Sequence, residues 1–199
     1  LMEEFARCGI RYLTTRTIGY DHIDMQAAKD FGIRVGNAPY GPNGVADYAV
    51  MLILMSIRNM KRILERTNIQ DYTLQGIRGR ELSDLTVGVI GTGRIGRTVI
   101  RHLSGFGCRI LAHDPYENEE VNFHLIGAET LSQMKDGVVI VNTARGALID
   151  SDALIDGIES GKVGAAALDV VENEFGLYYY DHKSDVLQNR QLAVLRGFP

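Results

Sequence analysis

Short apolar runs alternate with stretches of helical periodicity along this chain, starting near its first residue. Residues 10–15 (Ile-Arg-Tyr-Leu-Thr-Thr) predict a strand, residues 24–31 a helix closed by Gly32, and residues 33–35 (Ile-Arg-Val) a second strand. A strand, helix and strand of this length make a βαβ unit, which implies parallel pairing. Pro39 and Pro42 bracket a turn that ends the unit and predicts a domain boundary between residues 40 and 41.

From Asn43, a suitable N-cap, a long helix is predicted. Ala46, Ala49, Val50, Ile53, Ile57, Met60 and Leu64 recur every three or four residues and draw one apolar face. Met51, Leu52, Leu54 and Met55 fall off that face, so the middle of the helix is apolar nearly all round and needs cover on more than one side. Its own domain could supply that cover, or a neighbouring subunit could supply part of it. Residues 71–84 are polar and glycine-interrupted and read as a connection. Strands are then predicted at 86–90, 108–112, 138–141 and 163–168, with helices at 94–103 and 151–160. In the last of these helices Leu154, Ile155 and Ile158 face inward and Gly161 stops the helix. Such alternation calls for an α/β fold with a doubly wound parallel sheet.

Composition narrows the function. With 199 residues, 45% of them apolar, the chain can bury a real core and is not disordered. Lys and Arg number 21 against 25 Asp and Glu, so no basic excess exists to hold nucleic acid. Cys8 and Cys108 lie far apart in unrelated contexts, with neither a metal-ligand spacing nor a disulfide framework, as in a reducing cytoplasm. The longest apolar run, residues 48–57, is too short to cross a bilayer, and Glu3, Glu4 and Arg7 interrupt any signal-peptide core. A cytoplasmic chain without membrane or nucleic-acid partners is expected.

The sharpest motif is Gly91-Thr-Gly93-Arg94-Ile95-Gly96, between a predicted strand and a predicted helix. Alone the pattern is weak, but the context matches its physics. Gly91 permits the tight turn, Gly93 lets backbone approach a pyrophosphate, and Gly96 lets helix and strand pack closely. The helix start then offers N–H groups and partial positive charge to the phosphates. Asp114 ends the next strand, 18 residues after Gly96, where an acid can bind the ribose hydroxyls of an adenosine half. Pro115, Glu117, Glu119 and Glu120 follow without an Arg to hold a 2′-phosphate, which favours NAD over NADP. Downstream, Arg145 comes just after a buried strand, where it could clamp a substrate carboxylate or pair with a structural one. The acids of Asp169-Val-Val-Glu-Asn-Glu174 close another strand and, taken alone, could simply be solvated.

Together these segments resemble the D-isomer-specific 2-hydroxyacid dehydrogenase family, in its D-lactate dehydrogenase-like branch. The resemblance is carried by Thr14-Thr-Arg-Thr-Ile-Gly-Tyr-Asp-His-Ile-Asp24, Tyr40-Gly-Pro-Asn-Gly-Val-Ala-Asp-Tyr48, Val87-Gly-Val-Ile-Gly-Thr-Gly-Arg-Ile-Gly96, Asn142-Thr-Ala-Arg-Gly146 and Asp169-Val-Val-Glu-Asn-Glu174. The segment Phe175-Gly-Leu-Tyr-Tyr-Tyr180, followed by Asp181-His-Lys-Ser184, looks like the lactate and aryl-lactate members. The resemblance implies a Rossmann domain over residues 41–199 and, in residues 1–40, the end portion of a flavodoxin-like substrate domain. It implies NAD-dependent interconversion of a 2-oxo acid and a D-2-hydroxy acid and so a small-molecule partner, while the apolar helix from Asn43 makes a homodimer the expectation. The resemblance assigns substrate binding and polarisation to Arg145, partnership with a catalytic histidine to Glu174, and a place at the substrate pocket to Tyr40. Gly91, Gly93, Arg94, Ile95, Gly96, Asp114, Thr143, Ala144 and Asp169 are the implied cofactor contacts; no metal is implied.

Three departures qualify the resemblance. Gly41 stands where the family usually has Ser. None of His22, His102, His113, His124 or His182 matches the context of the family's proton donor, which follows a segment like Leu195-Arg-Gly-Phe-Pro199. Finally, Asn122 runs straight into Phe123, where the family has another strand and a loop beside the nicotinamide pocket. The expectation is that the sequence joins parts of a longer protein, and that these residues by themselves bind NAD weakly and turn over little. Two other functions fit the same scaffold: a phosphoglycerate dehydrogenase-like enzyme and a non-catalytic NAD-sensing binding protein.

Overall fold

The structure, a computed structural model, describes residues 1–20, 22–114, 125–174, 177 and 189–198. The chain folds as two compact units, Leu1–Pro42 and Asn43–Pro199.

In the first unit α1 (Met2–Arg7) precedes β1 (Tyr12–Thr15), α2 (Met25–Asp30) and β2 (Arg34–Asn37). β1 and β2 pair in parallel, Tyr12 opposite Arg34 and Thr15 opposite Asn37, as the βαβ pattern requires. Asp24 caps α2 by accepting the Ala27 N–H at 2.8 Å. The helix ends where Gly32 turns to φ +69°, and the Ile33 N–H returns to the Ala28 carbonyl at 2.8 Å. Met2, Ala28 and Ile33 form the buried centre, flanked by Phe5, Leu13 and Val35.

The second unit contains α3 (Asn43–Ile57), α4 (Met60–Asn68), β3 (Thr86–Ile90), α5 (Arg94–Ser104), β4 (Arg109–His113), α6 (Ala128–Gln133), β5 (Val138–Asn142), α7 (Ser151–Glu159), β6 (Val163–Leu168) and α8 (Arg190–Gly197). β3 pairs with β4 and β5 with β6, both in parallel. Among the described residues the strands therefore pair two by two, every pairing is parallel, and helices connect them: an α/β architecture. One core joins Ala46, Ala49, Val50 and Ile57 of α3 to Val89 of β3 and to Val99 and Leu103 of α5. A second gathers Leu131, Ile140, Ile149, Leu154 and Val163 around β5, β6 and α7. α3 packs on α5 and also lies against β5 and β6.

The helix expected to run to Leu64 breaks at Asn59. Asn59 adopts φ +55°, a left-handed conformation that asparagine tolerates, and its side chain donates to the Arg78 carbonyl at 3.0 Å. The Arg80 N–H caps the Ile57 carbonyl at 2.9 Å, so the returning connection satisfies the end of α3. Beyond the break the expected apolar face is lost: α4 buries no residue and Leu64 is 53% exposed. Within α3 the expected face does turn inward, while Met51 stays 42% exposed. Residues 115–124, which follow β4 and Asp114, lie outside the described residues; so does the peptide from Asn122 to Phe123.

Candidate active site

The glycine turn sits at the carboxyl end of β3. Gly91 takes φ +88°, the left-handed turn read from the motif, and its N–H reaches the His113 carbonyl at 2.7 Å, extending the β3–β4 ladder. A Cβ at Gly96 would run into the Gly91 carbonyl and touch Val89, so helix and strand meet there with no room for a side chain. At Gly93 the opposite holds: a Cβ would meet nothing within 4 Å. Gly93 is also the N-cap of α5 and brings no side-chain cap, so the cap residue leaves the N–H groups of the first turn and the positive end of the helix dipole uncovered. That cradle fits a pyrophosphate approached by backbone. Across it lies Asp114, whose Oδ2 accepts the Thr92 N–H at 2.8 Å and the Thr92 hydroxyl at 2.6 Å.

The second cluster lies at the carboxyl ends of β5 and β6. Asn142, buried, closes the turn after β5: its side chain accepts the Ala144 N–H at 3.1 Å and donates to the Arg145 carbonyl at 2.8 Å. Thr143 and Ala144 form that turn, and exposed Arg145 follows, with Nη1 donating to the Ala144 carbonyl at 2.9 Å. Asp169 begins the loop after β6, where its N–H meets the Asn142 carbonyl at 2.9 Å. A Cβ at Gly146 would run into the Val171 carbonyl, so the Arg145 turn and the 169–174 loop are in backbone contact. Glu174 is half-buried and Oε2 accepts the Val171 N–H at 2.8 Å. Glu172 ties the loop down: its Oε2 accepts the Ser151 N–H at the start of α7, and its carbonyl accepts the Asn189 side chain.

The structure thus gathers Gly91, Gly93, Arg94, Ile95, Gly96 and Asp114 at one strand end, and Thr143, Ala144, Arg145, Asp169 and Glu174 at another. Tyr40 belongs to the first unit, where it is exposed. His22 is exposed, His113 ends β4, and His102 on α5 meets Asp47 at 3.2 Å; His124 and His182 lie outside the described residues. The lactate-like segment at 175–184 also lies outside them except for Leu177. Sequence reading misses Thr92, Asn142 and Glu172 as supports. The motifs contain all three, but each acts through a bond to backbone or carboxylate that no periodicity reports.

A glycine cradle between a parallel strand and a helix, faced by an acid on the next strand, defines the class: a dinucleotide-binding α/β domain of Rossmann type. Comparison with known proteins is more specific. The family model "D-isomer specific 2-hydroxyacid dehydrogenase, NAD binding domain" matches residues 50–124 and 119–195, two stretches that meet where Asn122 runs into Phe123. An aromatic 2-oxoacid reductase of Clostridium sporogenes is 42% identical over 228 aligned positions, covering all of this chain and 69% of the relative. A D-specific alpha-keto acid dehydrogenase of Enterococcus faecium is 41% identical, covering 97% of this chain and 67% of its own length. The solved pyruvate reductase of Chlamydomonas reinhardtii superposes with a TM-score of 0.90 at 33% identity, over 99% of this chain and 69% of that one. The chain belongs to the D-isomer specific 2-hydroxyacid dehydrogenase family, NAD-dependent oxidoreductases acting on CH–OH groups. Its cofactor is NAD.

Proposed function

We propose that this chain carries the NAD-binding domain, over residues 41–199, of an enzyme that interconverts a 2-oxo acid of pyruvate or aryl-pyruvate type and the D-2-hydroxy acid. Residues 1–40 are the end portion of its substrate domain. The observation that carries the reading is the backbone contact between the Arg145 turn and the loop bearing Glu174, at the carboxyl ends of β5 and β6. Gly91, Gly93 and Gly96, with the N–H groups of Arg94 and Ile95, hold the pyrophosphate, and Asp114 accepts the adenosine ribose hydroxyls. Thr143, Ala144 and Asp169 border the nicotinamide half. When bound, the nicotinamide exchanges a hydride with C2 of the substrate. Arg145 grips the substrate carboxylate with its planar fork and stabilises charge on the C2 oxygen. Glu174 pairs with a histidine that donates the proton and keeps it charged at neutral pH.

Pyruvate or phenylpyruvate should therefore drive NADH oxidation by the intact protein. Arg145→Ala should cut kcat/KM by at least about 10²-fold, the scale of losing one electrostatic stabiliser. NADH binding without turnover of any 2-oxo acid would instead favour a non-catalytic NAD-sensing protein. A preference for a phosphorylated hydroxy acid would favour the phosphoglycerate dehydrogenase-like enzyme.

We further propose that two copies pair through α3. Met51, Leu54, Met55 and Met60 line an apolar groove of about 520 Å³, rimmed by Asp47, Arg58 and His102. A second copy laying the same face into it would cover the part of the helix that its own unit leaves open. Sedimentation should show a dimer that Met51→Glu converts to monomer; a monomeric native protein would exclude this face as an interface. Cys8 and Cys108 are both unpaired, which fits a cytoplasmic setting. No helix among the described residues is long and apolar enough to cross a membrane.

A further inference from the structure

We propose that Thr92 is the positioning residue through which this chain selects an unphosphorylated adenosine ribose. The inference rests on reading Asp114 as the ribose acceptor. Asp114 stands exposed just beyond the end of β4, where a carboxylate could swing among several rotamers. Thr92 restricts that freedom. Its N–H and its hydroxyl both donate to the same carboxylate oxygen, Oδ2, at 2.8 and 2.6 Å. Both bonds are charge-assisted and short, and their donors come from the second residue of the glycine turn.

That turn is itself rigid. Gly91 is fixed at φ +88° and bonded to His113, and Gly96 is packed against the Gly91 carbonyl. Thr92 therefore transmits the turn's position to the acid. A carboxylate fixed at the rim of the cradle presents its charge where the 2′-oxygen of the ribose must lie. Two hydroxyls can donate to it, whereas a 2′-phosphate meets an immobile negative charge. With these two bonds weakened the carboxylate is less firmly held, and discrimination falls from both directions: weaker binding of NADH and weaker rejection of NADPH.

The test is a pair of dissociation constants, for NADH and NADPH, measured by cofactor fluorescence on the intact protein without substrate. Thr92→Val keeps the shape and the N–H but deletes the hydroxyl. It should weaken NADH about five- to tenfold, the scale of one net intramolecular hydrogen bond, while NADPH binding stays level or improves. Thr92→Ser, which restores the donor, should recover the wild-type ratio. In an Asp114→Asn background the Thr92→Val change should have no further effect on the NADH/NADPH ratio, because the two residues act as one unit. If the variant loses both cofactors equally, or changes thermal stability with the ratio intact, Thr92 only shapes the turn and the proposal is overturned. Should Thr92→Val fold poorly, Thr92→Ala takes its place: a lowered NADH/NADPH preference that Thr92→Ser does not share supports the proposal, and an unchanged preference overturns it. Failure of the underlying reading looks different, since wild-type protein would then show no preference between the cofactors at all.

Discussion

Positions 93 and 96 differ by three residues and by everything that surrounds them. At Gly96 a methyl group would run into the Gly91 carbonyl, whereas at Gly93 it would enter open space. Two alanine substitutions should therefore separate fold from function. Gly96→Ala is expected to cost about 1–3 kcal/mol of stability in urea unfolding, as overpacked positions do, and to lose NADH binding with it. Gly93→Ala should leave the unfolding midpoint nearly unchanged and still abolish NADH binding, because its Cβ occupies the pyrophosphate's place. Equal stability losses at both positions would show that Gly93 also serves packing. Gly146 follows the logic of Gly96, its missing side chain allowing the Val171 carbonyl to close on the Arg145 turn.

Among the elements, the connection after α4 is held down by charge. Arg62 donates to the Gly76 carbonyl at 2.9 Å and Arg66 to the Gln75 carbonyl at 2.7 Å. At its start the Asp71 carboxylate accepts the Thr73 hydroxyl and N–H at 2.7 and 3.0 Å, and these bonds, with Arg66 beside them, hold Asp71 below the ordinary carboxylate pKa. A lowered folded-state pKa stabilises this turn above the ordinary value of 3.8 and loses that contribution as pH falls through the lowered one. The Thr73 amide resonance should hence be constant from neutral pH down to the carboxylate range and shift only in stronger acid. In Asp71→Asn that shift should vanish; a wild-type amide insensitive to acid would refute the assignment.

The element boundaries show what patterning can and cannot disclose. Strands 86–90 and 163–168 are legible to the residue because each is a compact apolar or small-residue run bounded by turn formers. Asp24 and Gly32 likewise mark both ends of α2. The break at Asn59 is not legible, because it depends on Arg78 and Arg80 returning to it from a distant connection. α1, α6 and α8 escape sequence reading as well; at six to eight residues each is too short for periodicity to rise above composition. At the candidate site the glycines, Asp114, Arg145 and Glu174 can be read from motifs. Thr92, Asn142 and Glu172 cannot be recognised as supports, since their partners are set by folding rather than by spacing.

On the scale of the molecule, the described residues of the second unit form two cores, and one helix lies against both strand pairs. The β3–α5 core and the β5–β6–α7 core each belong to one parallel pair, and a two-stranded pair is marginal unless something packs on it. β4 shows the point, with Leu111 51% exposed. α3 supplies the packing for both: it lies on α5 and against β5 and β6, and Val139 of β5 reaches into the first core.

That arrangement has a consequence in time. α3 leaves the ribosome before β6, part of its cover, which is not synthesised until residues 163–168. Throughout that interval an apolar helix waits without part of its cover, a condition in which nascent chains associate wrongly. Chains arrested before Val163 should be cut by protease within residues 43–57, and chains carried well past Leu168 should resist. The helix that lies against both strand pairs in the finished molecule is, while the molecule is being made, sheltered on one side only.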